Sequence, residues 1–141
     1  MNDRELIQKE TDIENTIESI LRFIEETLLT FREHIHLLNA TEMDKLKKFS
    51  ANVTEIMASI KKQIEKFPKE NPQTEAIIVR HLNLNVKLYA VKNALDAVIA
   101  EEKAGQKDLG KQFSTIISKI EEIIKDLEIL KRMLSAWKYE S

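Results

Sequence analysis

The stretch RHLNLNVKLYAV, residues 80–91, decides the fold. From Leu82 to Leu88 it alternates apolar and polar side chains without a break, which is the period of a half-buried strand. Read at helical spacing, however, Ile77, His81, Leu84, Leu88, Val91, Leu95 and Val98 step by 4, 3, 4, 3, 4, 3, so a heptad seam runs straight through it. The strand reading accounts for seven residues and the helical reading for the 22 from Ile77 to Val98. Asn is poor in strands, and no turn signal brackets residues 80–91. The stretch is therefore read as helix. Ile78, Leu82, Val86, Tyr89 and Ile99 are expected to widen its buried face on one side, and the alternation is a by-product of that width.

The same period extends outward in both directions. Ile13, Ile17, Ile20, Ile24, Leu28, Phe31, Ile35 and Leu38 make a first stripe, widened by Leu21. NATEMD interrupts it, with Thr41 as an expected N-cap and Asp44 three residues on. A second stripe follows, Leu46, Phe49, Val53, Ile56, Ile60, Ile64 and Phe67, and Pro68 stops it. Asn71 before Pro72 is a restart signal, a capping side chain followed by proline at the first helical position. KAGQKDLGKQ holds both glycines; it reads either as a break, with Gly105 ending one helix and Asp108 capping the next, or as a kinked continuous helix. The last stripe, Phe113, Ile116, Ile120, Ile123, Leu127, Leu130, Leu134 and Trp137, is the cleanest.

These stripes predict one all-α domain over residues 1–141: an antiparallel bundle of four long helices, about 3–38, 42–67, 72–104 and 109–138, with coiled-coil-like packing. Composition agrees. Two Gly and two Pro in 141 residues leave room for few breaks, and 43% apolar with 33% charged residues suits helices with one buried stripe. A net charge of −2 offers no general attraction to nucleic acid or to an anionic membrane. The basic residues Lys47, Lys48, Lys61 and Lys62 are interleaved with Glu42, Glu55 and Glu65, a mixed solvated face. The absence of cysteine excludes disulfides and thiol chemistry. MNDRELIQKE has no apolar signal region, and no apolar run approaches the ~18 residues needed to span a bilayer, so a soluble cytoplasmic protein without membrane insertion is the expectation.

Chemistry-bearing motifs are sparse. Of the two Glu-x-x-His pairs that a di-metal carboxylate bundle needs, only Glu33 and His36 occur, and they lie off the first stripe. His34 and His36 are two residues apart on a helix and point about 200° apart, so they do not chelate one ion. His81 sits on an apolar seam, where a satisfied core histidine is the ordinary reading. No nucleophile elbow or phosphate-binding loop is present. No catalytic residue, cofactor or metal is expected, and the protein is not read as an enzyme.

Helix-to-helix recognition remains. The fourth helix carries Ile117, Ile124, Ile129 and Met133 beyond its heptad, so Ile117, Ile124, Leu127, Leu130 and Leu134 are the expected partner contact, for a client helix or a second copy. The competing reading is that this helix touches two neighbours in its own bundle.

The order of parts resembles the flagellar type III export chaperones of the FlgN kind. It lies in a long first helix (IESILRFIEETLLTFREHI), a short polar turn with Leu (LLNATEMDKL) and a Lys-bearing second helix (KKFSANVTEIMASIKKQI). A third helix then places Asn85 three residues before Leu88 in NVKL. The resemblance covers about residues 15–100; the family gives way to a flexible segment after its third helix, whereas here a fourth stripe occupies 111–138. It implies a bacterial, cytoplasmic chaperone that holds an amphipathic helix of its client, and it adds Asn85 and Leu88 to the partner-binding residues. The alternative is a structural or signalling adaptor, a possible homodimer, that self-associates through its helices without a client.

Overall fold

A computed structural model of the chain describes residues 3–32, 38–103 and 110–140. It is an all-α bundle of four helices: α1 (Asp3–Arg32), α2 (Ala40–Ile64), α3 (Pro72–Lys103) and α4 (Gly110–Glu140). No strand occurs among the described residues, and residues 80–91 are helical throughout. No helix is long and apolar enough to cross a membrane among those residues.

The starts of α2 and α3 are set by side chains that satisfy orphan backbone donors. Asn39, not Thr41, caps α2: its side chain accepts from the Glu42 amide at 2.8 Å, and the Glu42 carboxylate accepts from the Asn39 amide at 2.9 Å. This reciprocal box needs an acceptor at the cap and a carboxylate three residues on, and Asn39 with Glu42 has the longer-reaching acid. Leu38 is not helical, while Ile35, Glu33, His34 and His36 lie outside the described residues, as do Gly105 and Asp108. Asn71 acts as expected, its Oδ1 accepting from the Gln73 amide at 2.9 Å ahead of a helix opened by Pro72. The second helix ends at Ile64, and two backbone turn bonds carry the chain on to buried Phe67.

Around the bundle the order is α1–α4–α3–α2, with the α1/α2 seam by far the loosest. Consecutive helices run antiparallel, and α1 and α3 face each other diagonally across the core. One apolar core joins all four. Its α3 layer is the heptad seam Ile77, Leu84, Leu88, Val91, Leu95 and Val98, all buried. The α1 layer is rotated slightly from the expected stripe: Ile17, Leu21, Ile24, Leu28 and Phe31 are buried, whereas Ile13 and Ile20 are only partly so. Leu21 thus belongs to the seam itself. Ion pairs at the edges hold register: Lys131 with Glu18 at 3.1 Å between α4 and α1, and Lys87 with Asp126 at 2.5 Å and Glu122 at 3.0 Å between α3 and α4. Being partly exposed, the Lys131–Glu18 and Lys87–Asp126 pairs each contribute at most about 1 kcal/mol.

Candidate functional site on the outward face of α3

The apolar residues of α3 divide into two opposed stripes. Residues two apart on a helix are separated by about 200°, so an unbroken apolar–polar alternation sends alternate side chains to nearly opposite sides. Leu84 and Leu88 point into the core, and Leu82 and Val86 point away from it. Val79, Leu82, Val86 and Tyr89 are 51%, 52%, 70% and 56% exposed. The expectation that Leu82, Val86 and Tyr89 widen the buried face is therefore corrected. A single wide face would need them beside the inward seam, and they sit behind it. The alternation in residues 82–88 reports a helix with two apolar faces, one of them uncovered.

The uncovered stripe steps by 3, 4, 3 and spans about 15 Å at 1.5 Å per residue, three turns of helix. Glu75 bounds it at one end and Asn93 at the other. Its basic flank is engaged elsewhere: Lys87 bonds Asp126 and Glu122, and Arg80 reaches Asp126 at 4.0 Å. The Lys87 ammonium is held charged above its ordinary range by its hydrogen bonds to Asp126 and Glu122. Beside the stripe a cleft of about 490 Å³ opens between α3 and α4, lined by Glu75, Ala76, Val79, Arg80, Asn83 and Met133.

A second apolar opening follows from the loose α1/α2 seam. Ile13, Ile17, Ile20 and Ile56 form part of the lining of a groove of about 320 Å³, rimmed by Asp12 and Glu55 among polar side chains. Phe23, 58% exposed, stands further along the same seam with its ring edge-on to Phe49 at 6.0 Å.

The residues expected to touch a partner are all interior. Ile117, Ile124, Leu127, Leu130, Leu134 and Leu88 are at most 5% exposed, and Asn85 is buried with its amide aimed at the Met57 carbonyl across α2. The reason is geometric: α4 packs against both α1 and α3, so Ile117 and Ile124 fill a second seam of the same bundle, while Ile129 and Met133 are only partly buried.

The interior also holds three ionisable groups: His81, expected on the seam as a core histidine, and Glu10 and Glu14, which the stripe-by-stripe reading passed over. Glu10 and Glu14 of α1 and His81 of α3 are each 1% exposed. The His81 Nε2 is in hydrogen-bond contact with a Glu10 carboxylate oxygen and lies 3.9 Å from one of Glu14. Its Nδ1 faces the Ile77 carbonyl at 2.8 Å. The rings of Phe67 and Trp137, 5.8 Å apart, close the region, with Phe67 centred 5.9 Å from the imidazole. Burial, and after it the neighbouring Glu10 carboxylate, pushes the Glu14 carboxyl up to about 9. Inward-facing ligand atoms are thus present, contrary to the reading from Glu33 and His36. The signal was available, because 10, 14, 17, 21, 24, 28 and 31 step by 4, 3, 4, 3, 4, 3 and place both glutamates on the α1 seam.

Compared with known proteins, the chain is matched by no family model, no curated protein and no solved structure. Its residues carry the functional argument unaided.

Proposed function

We propose that this protein binds proteins, holding an amphipathic helix of a client against the outward face of α3 in the manner of a cytoplasmic secretion or flagellar export chaperone. The observation that supports this is the exposed stripe Val79, Leu82, Val86 and Tyr89. Four large apolar side chains on one helix face, at the 3-4-3 spacing with which helices pack on one another, form a ready docking seam. Exposed apolar stripes of this kind mark interaction surfaces. The stripe itself carries no charge, and the neighbouring cations are already paired with α4, so the surface suits the apolar side of a helix. An acidic polymer would find no free cation in the stripe itself.

Self-association without a client is the second reading, and one feature favours it. The 3-4-3 spacing is the same read in either direction, so two copies of α3 packed antiparallel about a two-fold axis would oppose Leu82 with Val86 and Val79 with Tyr89.

A photo-crosslinking residue at Asn83, on the rim of the stripe, separates the two. The client reading expects a crosslink in source cells to a helical segment of a different protein, abolished by Leu82→Lys/Val86→Lys. Because both side chains are exposed, the double variant keeps its circular dichroism. A crosslink confined to a second copy, with a dimer in sedimentation equilibrium, establishes self-association instead. A monomer with no crosslink overturns both readings.

A further inference from the structure

We propose that Glu10, Glu14 and His81 form a binding site for one divalent first-row transition ion of the zinc class. Two carboxylates one helical turn apart on α1 meet an imidazole from the diagonal helix. Each residue offers one ligand atom, and the three atoms lie within 4.8 Å of one another. An ion with bonds of about 2.1 Å spaces its ligand atoms by roughly 3 to 3.5 Å, so the site closes on a metal with side-chain adjustment alone.

The imidazole is set up for this role by its other nitrogen. A carbonyl oxygen only accepts, so the contact from Nδ1 to the Ile77 carbonyl at 2.8 Å places the proton on Nδ1. The proton that joins Nε2 to the Glu10 carboxylate is the one a metal ion would displace, which leaves the Nε2 lone pair facing both glutamates. Ligation by Nε2 with Nδ1–H held by a backbone carbonyl is how metal-bound histidines are ordinarily oriented.

A second observation points to a ligand. Glu10 Oε2 and both oxygens of Glu14 are buried and receive no hydrogen bond from any donor outside the pair, so the two carboxyls can only share a proton between themselves. Buried carboxylate oxygens are normally satisfied, and each unmet one is costly. A cation in their midst meets that need, and one divalent ion cancels the charge of two carboxylates beside a neutral imidazole. The donor set of one nitrogen and two carboxylates suits zinc, manganese(II) or iron(II), while the imidazole counts against calcium and magnesium, which take oxygen ligands. Three protein ligands leave a further position open. Each of the three residues is 1% exposed, so bulk water is excluded from the site, and the Phe67 ring lies 5.9 Å from the imidazole.

The test uses the full chain, stripped with a chelator and then titrated with ZnCl₂ by calorimetry, with elemental analysis after gel filtration. One zinc per chain is expected, with a melting temperature raised by several degrees and no comparable effect of MgCl₂. Glu14→Gln and His81→Gln should each weaken binding by more than about 100-fold, and a Co²⁺-loaded sample should lose its tetrahedral d–d bands in either variant. His34→Ala/His36→Ala should bind as the unaltered chain does. Should His81→Gln unfold, the nearly isosteric Glu14→Gln decides by itself. The proposal is overturned if the stripped chain retains no zinc, or if binding survives Glu14→Gln.

Discussion

Replacing Glu10, Glu14 and His81 together by leucine should make the metal-free protein more stable. Three ionisable groups sit among apolar side chains, and three of their oxygens find no donor outside the cluster. Unsatisfied buried acceptors cost about 1–3 kcal/mol each, and exchanging a buried ionic cluster for apolar groups of similar volume is neutral or stabilising by up to about 4 kcal/mol. A gain of about 3 kcal/mol is expected at pH 7 in chelator, a rise in melting temperature of roughly 10 °C for a chain of this size. The single change His81→Leu should act oppositely. It leaves two glutamates facing each other without the imidazole, a loss of about 3–5 kcal/mol. The gain of the triple variant should also grow with pH. Glu14 is pushed up to about 9 in the fold from an ordinary 4.5, so the folded protein must keep a proton that the unfolded chain releases. Its stability contribution is intact below 4.5 and is lost as pH rises from there towards 9. Urea unfolding at pH 4.5, 7 and 8.5, with m-values checked for constancy, measures all three variants. A triple variant less stable than the unaltered chain by 1 kcal/mol or more would refute the reasoning and make the cluster a structural lock.

The two faces of α3 predict unequal costs for equal truncations: Leu84→Ala, at a site 1% exposed, should cost about 2–5 kcal/mol, and Leu82→Ala under about 1 kcal/mol, by urea denaturation. Asn39→Ala removes one half of the α2 capping box and should cost about 1 kcal/mol, read by the same assay. Ile117→Lys/Ile124→Lys puts two charges into the seams between α4 and its neighbours, so the circular dichroism of the isolated protein should collapse rather than only its association.

Much of the fold was legible in the sequence, because helix formation and its period are local. Steps of 3 and 4 persist through residues 17–31, 46–67, 77–98 and 113–137, and the buried residues follow those positions almost throughout. Asn71–Pro72 marked a helix start through chemistry contained in adjacent residues. Asn39 was missed because Thr41 with Asp44 offered a similar pattern two residues later, and only backbone geometry distinguishes them.

What periodicity leaves undetermined is which neighbour covers a face. Ile117 and Ile124 looked surplus because the width of one stripe says nothing of how many helices pack against it; tertiary packing gives α4 two neighbours and buries both. Leu82, Val86 and Tyr89 looked like the margin of a buried face, and the structure sets them opposite it. Glu10 and Glu14 lay on the α1 seam by spacing, but their meaning depended on His81, 71 residues from Glu10 in the chain and brought to it only by the diagonal pairing of α1 with α3. A helix fixes angles between its own side chains. Only the assembled bundle decides which of those angles point at water, at a leucine, or at another ionisable group.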